Sequence, residues 1–329
     1  MIQLREKQGL LSTFARILSR RVRFWRLRPP MPVQRDGVSY VGMWVRFRPE
    51  THPLHDAFAR RAAREQRVIR VLGPFSLREW RAVTTIWFWL LRHVLGRERR
   101  FDFFLTHENT PTYDGLARNH IGFWLHDERE NVFRFPYWML DLLRSTGQTR
   151  SSSSTLTVEG LTTSSSARFG EQRAHRRLAA AILTNHLRPP RGQLIELVRS
   201  AMPCDVYGEA SGRSVENKTD LLNGYVFCLC PENSVSPGYV TEKVPDAVMA
   251  GCIPITWCDP DGLQHDFNEA AVVNLHGLSE AEARRRLQEL VDLADARQAI
   301  LSEPLLKRPP DTGEVERFIQ NAVLSNGRA

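Results

Sequence analysis

YVFCLCPENSVSPGYVTEKVPDAVMAGCIPITW, residues 225–257, contains two apolar runs separated by a polar loop and an amphipathic segment. YVFCLC (225–230) is apolar throughout, the pattern of a strand buried on both faces rather than one with a wetted side. PENSVSPGY is built of turn formers. Thr241 reads as the N-cap of a helix over about 241–250, which puts Pro245 at the fourth helical position, where no intrahelical N–H partner is needed. Gly251 ends that helix, and CIPITW (252–257) returns as the next strand. Strand, helix and strand in this order make a βαβ unit with parallel strands.

The same alternation extends in both directions. Downstream, Ser279 and Glu282 form a capping box for a long helix running to about residue 301. Upstream, RLAAAILTN (177–185) reads as a strand, RGQLIELVRSA (191–201) as a helix and CDVYGEA as a short strand and loop. Nearer the N-terminus the strands are VSYVGMWVRF (38–47), VIRVLG (68–73), FDFFLTHE (101–108) and HIGFWLH (120–126). Helices are expected at 55–66 and in a stretch ending near Gly96. Strands and helices taking turns predict an α/β fold with parallel sheets covered on both faces.

A chain of 329 residues is long for one core. The expected division is a basic helix and linker over 1–32, an N-terminal domain over 33–149, a serine-rich interdomain segment over 150–170 and a C-terminal domain over 171–329. The serine-rich interval carries too little apolar surface to order itself well.

With 42% apolar and 25% charged residues the composition is globular, and the net charge of +8 is concentrated at the start. Residues 1–30 hold eight basic side chains against the single acid Glu6. Leu11, Phe14, Leu18, Val22 and Trp25 share one helical face opposite Arg16, Arg20 and Arg23. A helix over residues 1–28 of this kind fits either an anionic membrane surface or its own domain. No zinc-finger spacing or RNA-binding aromatic signature accompanies it, so no nucleic-acid partner is expected. The apolar run 84–95 is too short to span a bilayer, and arginines interrupt the core that a secretory leader would need. Five cysteines without a CxxC pair read as reduced thiols of a cytoplasmic protein.

Ligands of open parallel sheets bind at the carboxyl ends of the strands. There Lys243 and the amides at the start of the 241–250 helix suit a diphosphate, and Arg191, one βα turn earlier, supplies a bidentate donor. Glu232, Asn233 and Glu242 are hydroxyl-binding candidates for a sugar or ribose. Asp259-Pro260-Asp261 has a D-x-D form that fits a metal ligand or a plain turn.

The segment 227–257 closely resembles the donor-binding signature of the α1,3-fucosyltransferases, which runs F-x-L-x-x-E-N-S, Y-[VI]-T-E-K and A-x-x-A-G-x-[IV]-P-[IV]. FFLTHENTPTYD (103–114), 121–140, TNHLRPPRG (184–192) and 266–278 resemble flanking family segments. The likeness covers roughly residues 38–300, excluding the serine-rich insert. It implies a GT-B-type fold of two Rossmann-like domains facing each other across a cleft. It also implies inverting transfer of L-fucose from GDP-fucose to a hydroxyl of N-acetylglucosamine in an oligosaccharide acceptor, without a required metal or cofactor. By resemblance, Arg191 and Lys243 hold the diphosphate and Asn233, Tyr239 and Glu242 contact donor sugar or ribose. Glu232, Ser234, Val240 and Thr241 belong to the same signature. Glu108 is the implied general base, reaching across from the acceptor side, and His107, beside it on a strand, is expected to point away. Three departures stand out: Pro231 replaces an aromatic residue before E-N-S, acids occupy 259–261 where the family has glycine and proline, and the basic helix comes first. Another nucleotide-sugar donor, or a non-catalytic binder, is the alternative. The implied location is cytoplasmic, with the 1–28 helix peripheral on the inner membrane of a bacterium.

Overall fold

The computed structural model of the chain describes residues 32–43, 47–74, 101–112, 115–146 and 156–325. The basic helix of 1–28, the apolar run 84–95 and residues 150–155 of the serine-rich segment lie outside these. The described residues build two α/β units. The first sheet holds β1 (Val33–Arg35), β2 (Val38–Val41), β3 (Ile69–Leu72), β4 (Phe101–Leu105), β5 (Ala117–Gly122) and β6 (Val132–Arg134), in that spatial order. All neighbours are parallel except β1 and β2, an antiparallel hairpin turned by Asp36 and Gly37 at φ 47° and 75°. An Asp-Gly pair with two positive φ values matches the twist of the strands it joins.

Several strands stop earlier than their apolar runs suggest. β2 ends at Val41, β5 at Gly122 rather than at 126, and β4 at Leu105 rather than at 108. The hydroxyl of Thr106 accepts from the amide of Glu108 at 3.1 Å, and this local bond turns the backbone out of the ladder.

The second sheet contains β7 (Arg177–Leu183), β8 (Cys204–Tyr207), β9 (Tyr225–Leu229), β10 (Ile253–Thr256) and β11 (Val273–Asn274), all parallel. Its spatial order is β11-β10-β9-β7-β8. This is a doubly wound arrangement whose winding reverses between β7 and β9, where such sheets form a ligand crevice.

The principal helices are α1 (His55–Glu65), α2 (Tyr137–Thr146), α3 (Arg191–Arg199), α4 (Lys243–Met249), α5 (Glu280–Asp292) and α6 (Glu314–Asn321). The capping box at Ser279 and Glu282 opens α5 as expected. The helix does not run on to 301. Leu293 is extended, the Arg297 guanidinium donates to the carbonyls of Leu290 and Val291 at 2.7 and 2.8 Å, and a separate helix spans Ala294–Leu301.

Two corrections concern the domain boundaries. Residues 156–170 are not a loose connector: Thr157 and Ser164 cap two short helices, Val158–Thr162 and Ser165–Phe169. Leu156 and Leu161 are fully buried in the second unit's core, so two leucines suffice to anchor a serine-rich segment. The chain's end, in turn, leaves the second unit and packs on the first. Val315 and Ile319 of α6 join the core formed by Phe58, Phe103 and Ile121. The buried carboxylate of Asp102 accepts from Arg67 at 2.7 Å, from the hydroxyl of Ser325 at 2.7 Å and from its amide at 3.0 Å. α2 also serves both units: Leu140 enters the first core, and Trp138 and Leu142 enter the second. All five cysteines are buried and free.

Candidate active site

The exits of β4 and β9 face one cavity of about 420 Å³. From the first unit it is lined by Pro74, Leu105, His107, Glu108, Tyr137 and Arg144, and from the second by Asn233, Tyr239, Thr241, Glu242 and Lys243. The Thr106 turn fixes the Glu108 backbone, whose carbonyl also accepts from Thr110 at 3.3 Å. One residue on, Asn109 donates to the hydroxyl of Ser234 at 2.6 Å, which ties the loop after β4 to the E-N-S loop.

On the second unit's side the polar groups divide into those beneath the cavity and those on its wall. Glu232 is fully buried, which corrects its reading as a hydroxyl-binding group. Its carboxylate accepts from the amide and the hydroxyl of Thr241, at 2.7 and 2.8 Å, and from the ammonium of Lys243. Thr241 is therefore occupied and does not cap α4. Glu242 takes the N-cap position without a side-chain cap bond, and Pro245 sits at the third helical position, where it still removes no intrahelical bond. Burial pulls the Lys243 ammonium down, but Glu232 and then Glu242 outweigh it and hold it above the ordinary lysine range.

Arg191 opens α3 at the end of β7 and spans the point where the winding reverses. Its guanidinium donates to the hydroxyl of Thr184 at 3.0 Å and to Asn233 Oδ1, and lies 3.1 Å from His186 Nε2. Burial lowers it, against the raising influence of Glu232 and Tyr239. Glu232 thus acts electrostatically on both cations of the crevice. Val240 is core, and Tyr239 packs edge-on against Phe123 of the first unit at 5.0 Å between centroids.

The first unit's wall differs most from expectation. His107 follows β4 in a loop, so strand alternation does not turn it away, and it lines the same cavity as Glu108. Its ring nitrogens are buried without hydrogen-bond partners. Burial, reinforced by Arg144, pushes the imidazole down to about 3. Tyr137 and Arg144 carried no signature that singled them out. They share one face of α2, two turns apart, with Arg144 donating to the Tyr137 hydroxyl at 2.9 Å. An arginine closing the largely apolar run YWMLDLL, three residues after Asp141, is the available cue.

The Asp259-Pro260-Asp261 turn resolves as a helix start. Asp259 Oδ2 accepts from Gly262 N at 2.8 Å as N-cap of a helix spanning Pro260–Asp266, and from Gly238 N at 2.9 Å. Among the described residues there is no group of three or more acids, histidines or cysteines suited to a metal ion.

The units are also joined beneath the site. Arg134 of β6 makes two bonds to the buried Asp266, at 2.6 and 2.9 Å, and another to Gly238 O at 3.2 Å; Trp138 Nε1 adds a bond to Asp266 at 3.0 Å. Gly238 has φ +78°, and a Cβ there would lie 2.4 Å from Phe123 O and 2.8 Å from Leu125 Cβ. Gly238→Ala is expected to cost about 2 kcal/mol or more, from the left-handed backbone and the clash together, read as a lowered unfolding midpoint.

Residues 173–292 match the family model described as glycosyltransferase family 10 (fucosyltransferase), C-terminal. The family 10 match contains Arg191 and the whole 230–243 loop. A curated relative, the α-(1,3)-fucosyltransferase FucT of Helicobacter pylori, is 36% identical over 104 residues, which are 31% of this chain and 22% of that protein. Among solved structures, an α1,3-fucosyltransferase shares a TM-score of 0.64 at 20% identity, over 90% of this chain and 91% of that one. An α1,3-fucosyltransferase with GDP shares 0.63 at 20% identity, over 91% and 93% of the two chains. One with GDP-fucose shares 0.55 at 22% identity, over 69% and 79%. The fold is the GT-B type: two α/β units facing each other across a cleft.

Proposed function

We propose that this chain is an inverting fucosyltransferase, moving L-fucose from GDP-fucose to a hydroxyl of N-acetylglucosamine in a glycan, in α1,3 or α1,4 linkage. One observation carries the reading. Glu108, from the first unit, lines the same cavity as Asn233, Tyr239, Glu242 and Lys243 of the second unit. A single displacement needs this opposition, because the acceptor hydroxyl attacks from the face opposite the departing diphosphate.

Glu108 takes the hydroxyl proton as the new bond from oxygen to the sugar's anomeric carbon forms. The bond from that carbon to the phosphate oxygen breaks, and its electron pair leaves with GDP. Lys243 and Arg191 face the charge that develops there. His107 is a poor base at this wall, because its protonated form is strongly disfavoured. The names of the relatives support the donor, and no step of this scheme calls on a metal.

Incubation with GDP-fucose, GDP-mannose or a UDP-sugar, each with a panel of N-acetylglucosamine acceptors and EDTA present, tests the reading. Fucosyl product from GDP-fucose alone is the expected result. Turnover only with another donor would replace the reading, and binding without turnover would make the chain a non-catalytic relative. The basic 1–28 helix is proposed to hold the enzyme on the cytoplasmic face of an anionic membrane. A chain lacking residues 1–28 is then expected to lose co-sedimentation with anionic vesicles, and unchanged sedimentation would reject that role.

A further inference from the structure

We infer that Glu232 is a positioning residue: the buried counter-anion that seats Lys243 and offsets one of the two donor-site cations, so that spent nucleoside diphosphate is released rather than trapped. The inference rests on the donor reading above. Glu232 has no exposed surface, so it touches no ligand directly. Its carboxylate holds the Lys243 ammonium and the Thr241 hydroxyl, and that hydroxyl accepts a second bond from Lys243 at 2.9 Å. Two of the three ammonium protons are thereby directed inward, leaving one for a ligand in the cavity.

Charge accounts for the consequence. Arg191 and Lys243 are the two cations that the second unit brings to the crevice, Arg144 standing on the first unit's wall, and Glu232 interacts with both. The pair Glu232 and Lys243 is neutral as a unit, so the site meets the diphosphate with roughly one uncompensated charge rather than two. When the sugar leaves, the diphosphate gains one negative charge. An uncompensated second cation would therefore strengthen the hold on product more than on substrate. Glu232 limits that difference while keeping Lys243 directional for the transition state.

The test is the affinity of the full chain for GDP and for GDP-fucose, with Glu232→Gln compared to the unaltered protein. The amide keeps the size and an acceptor oxygen but removes the counter-charge. Expected are GDP bound about tenfold tighter, GDP-fucose about threefold tighter, and a steeper salt dependence for both. A merely structural role predicts weaker binding of both with an unchanged ratio, and that result would overturn the inference. Should E232Q fail to fold because a buried lysine is left unpaired, Glu232→Gln combined with Lys243→Gln carries the test. Lys243→Gln alone leaves the Glu232 charge unopposed and should weaken GDP about threefold more than GDP-fucose; the neutral double variant binds both more weakly, since Lys243 holds the diphosphate, but should restore the unaltered ratio of the two affinities, and failure to restore it would overturn the inference. If the unaltered protein binds neither nucleotide, the donor reading fails instead; normal binding with no change in ratio refutes only the role of Glu232.

Discussion

Glu108→Gln is expected to lower turnover by about a thousandfold while leaving GDP-fucose binding within a few-fold of the unaltered enzyme. The amide keeps the shape of the side chain and cannot accept the acceptor's proton. The backbone around it should not move, because Thr106, Thr110 and the bond from Asn109 to Ser234 all hold the loop without the Glu108 carboxylate. Single-turnover assays separate this from a binding defect. Near-normal turnover would remove Glu108 from the mechanism, and a return of the proton-acceptor role to His107 would then require a less buried imidazole than the one seen.

Arg134→Leu is expected to destabilise the protein by about 3–5 kcal/mol, since it leaves the buried carboxylate of Asp266 without its cation. Burial alone would raise the Asp266 carboxyl, but His265, Arg134 and Trp138 outweigh it and hold it below the usual carboxylate value. A lowered folded-state pKa contributes stability that is fully present above the unfolded value, near 3.9, and is lost as pH falls through the folded value. In the variant burial dominates and the carboxyl rises. The stability gap between the two proteins should therefore shrink as pH falls toward about 4, measured by denaturant unfolding across pH. A constant gap would mean that the arginine acts by packing alone. Because Arg134 also holds Gly238 O, the variant should lose donor affinity before it loses its fold.

Much of the second unit's side of the cavity was legible in residues 225–257. An unbroken apolar run, a turn-rich loop and a closing glycine specify strand, loop and helix through contacts among neighbours in the chain, and the structure follows them to within two residues. The capping box at Ser279 and Glu282 is of the same local kind. Glu232 and Glu242 illustrate where this reading stops. Both are acids of one loop, ten residues apart, and nothing local says that Glu232 goes to the bottom of the crevice while Glu242 goes to its wall. Burial is decided by what packs over a residue, and here that is Thr241 and Lys243 folding back.

The first unit's side was less legible for the same reason. Val315 and Ile319 mark α6 as amphipathic, yet its partner surface lies on α1 and β4, more than 200 residues earlier in the chain. The apolar pattern says that a face must be covered and is silent about which domain covers it. Arg144 belongs to an apolar helix and reaches the cavity because α2 bridges two cores. The composition, the alternation of strands and helices, and the polar loop between β9 and α4 belong to the sequence, since short-range propensity and patterning specify them. The meeting of Glu108 with that loop, the burial of Glu232 and the Arg134–Asp266 clasp belong to the tertiary structure. The first and the last depend on surfaces distant in sequence excluding water from between them, and the second on a loop folding back over its own acid, which no local propensity specifies.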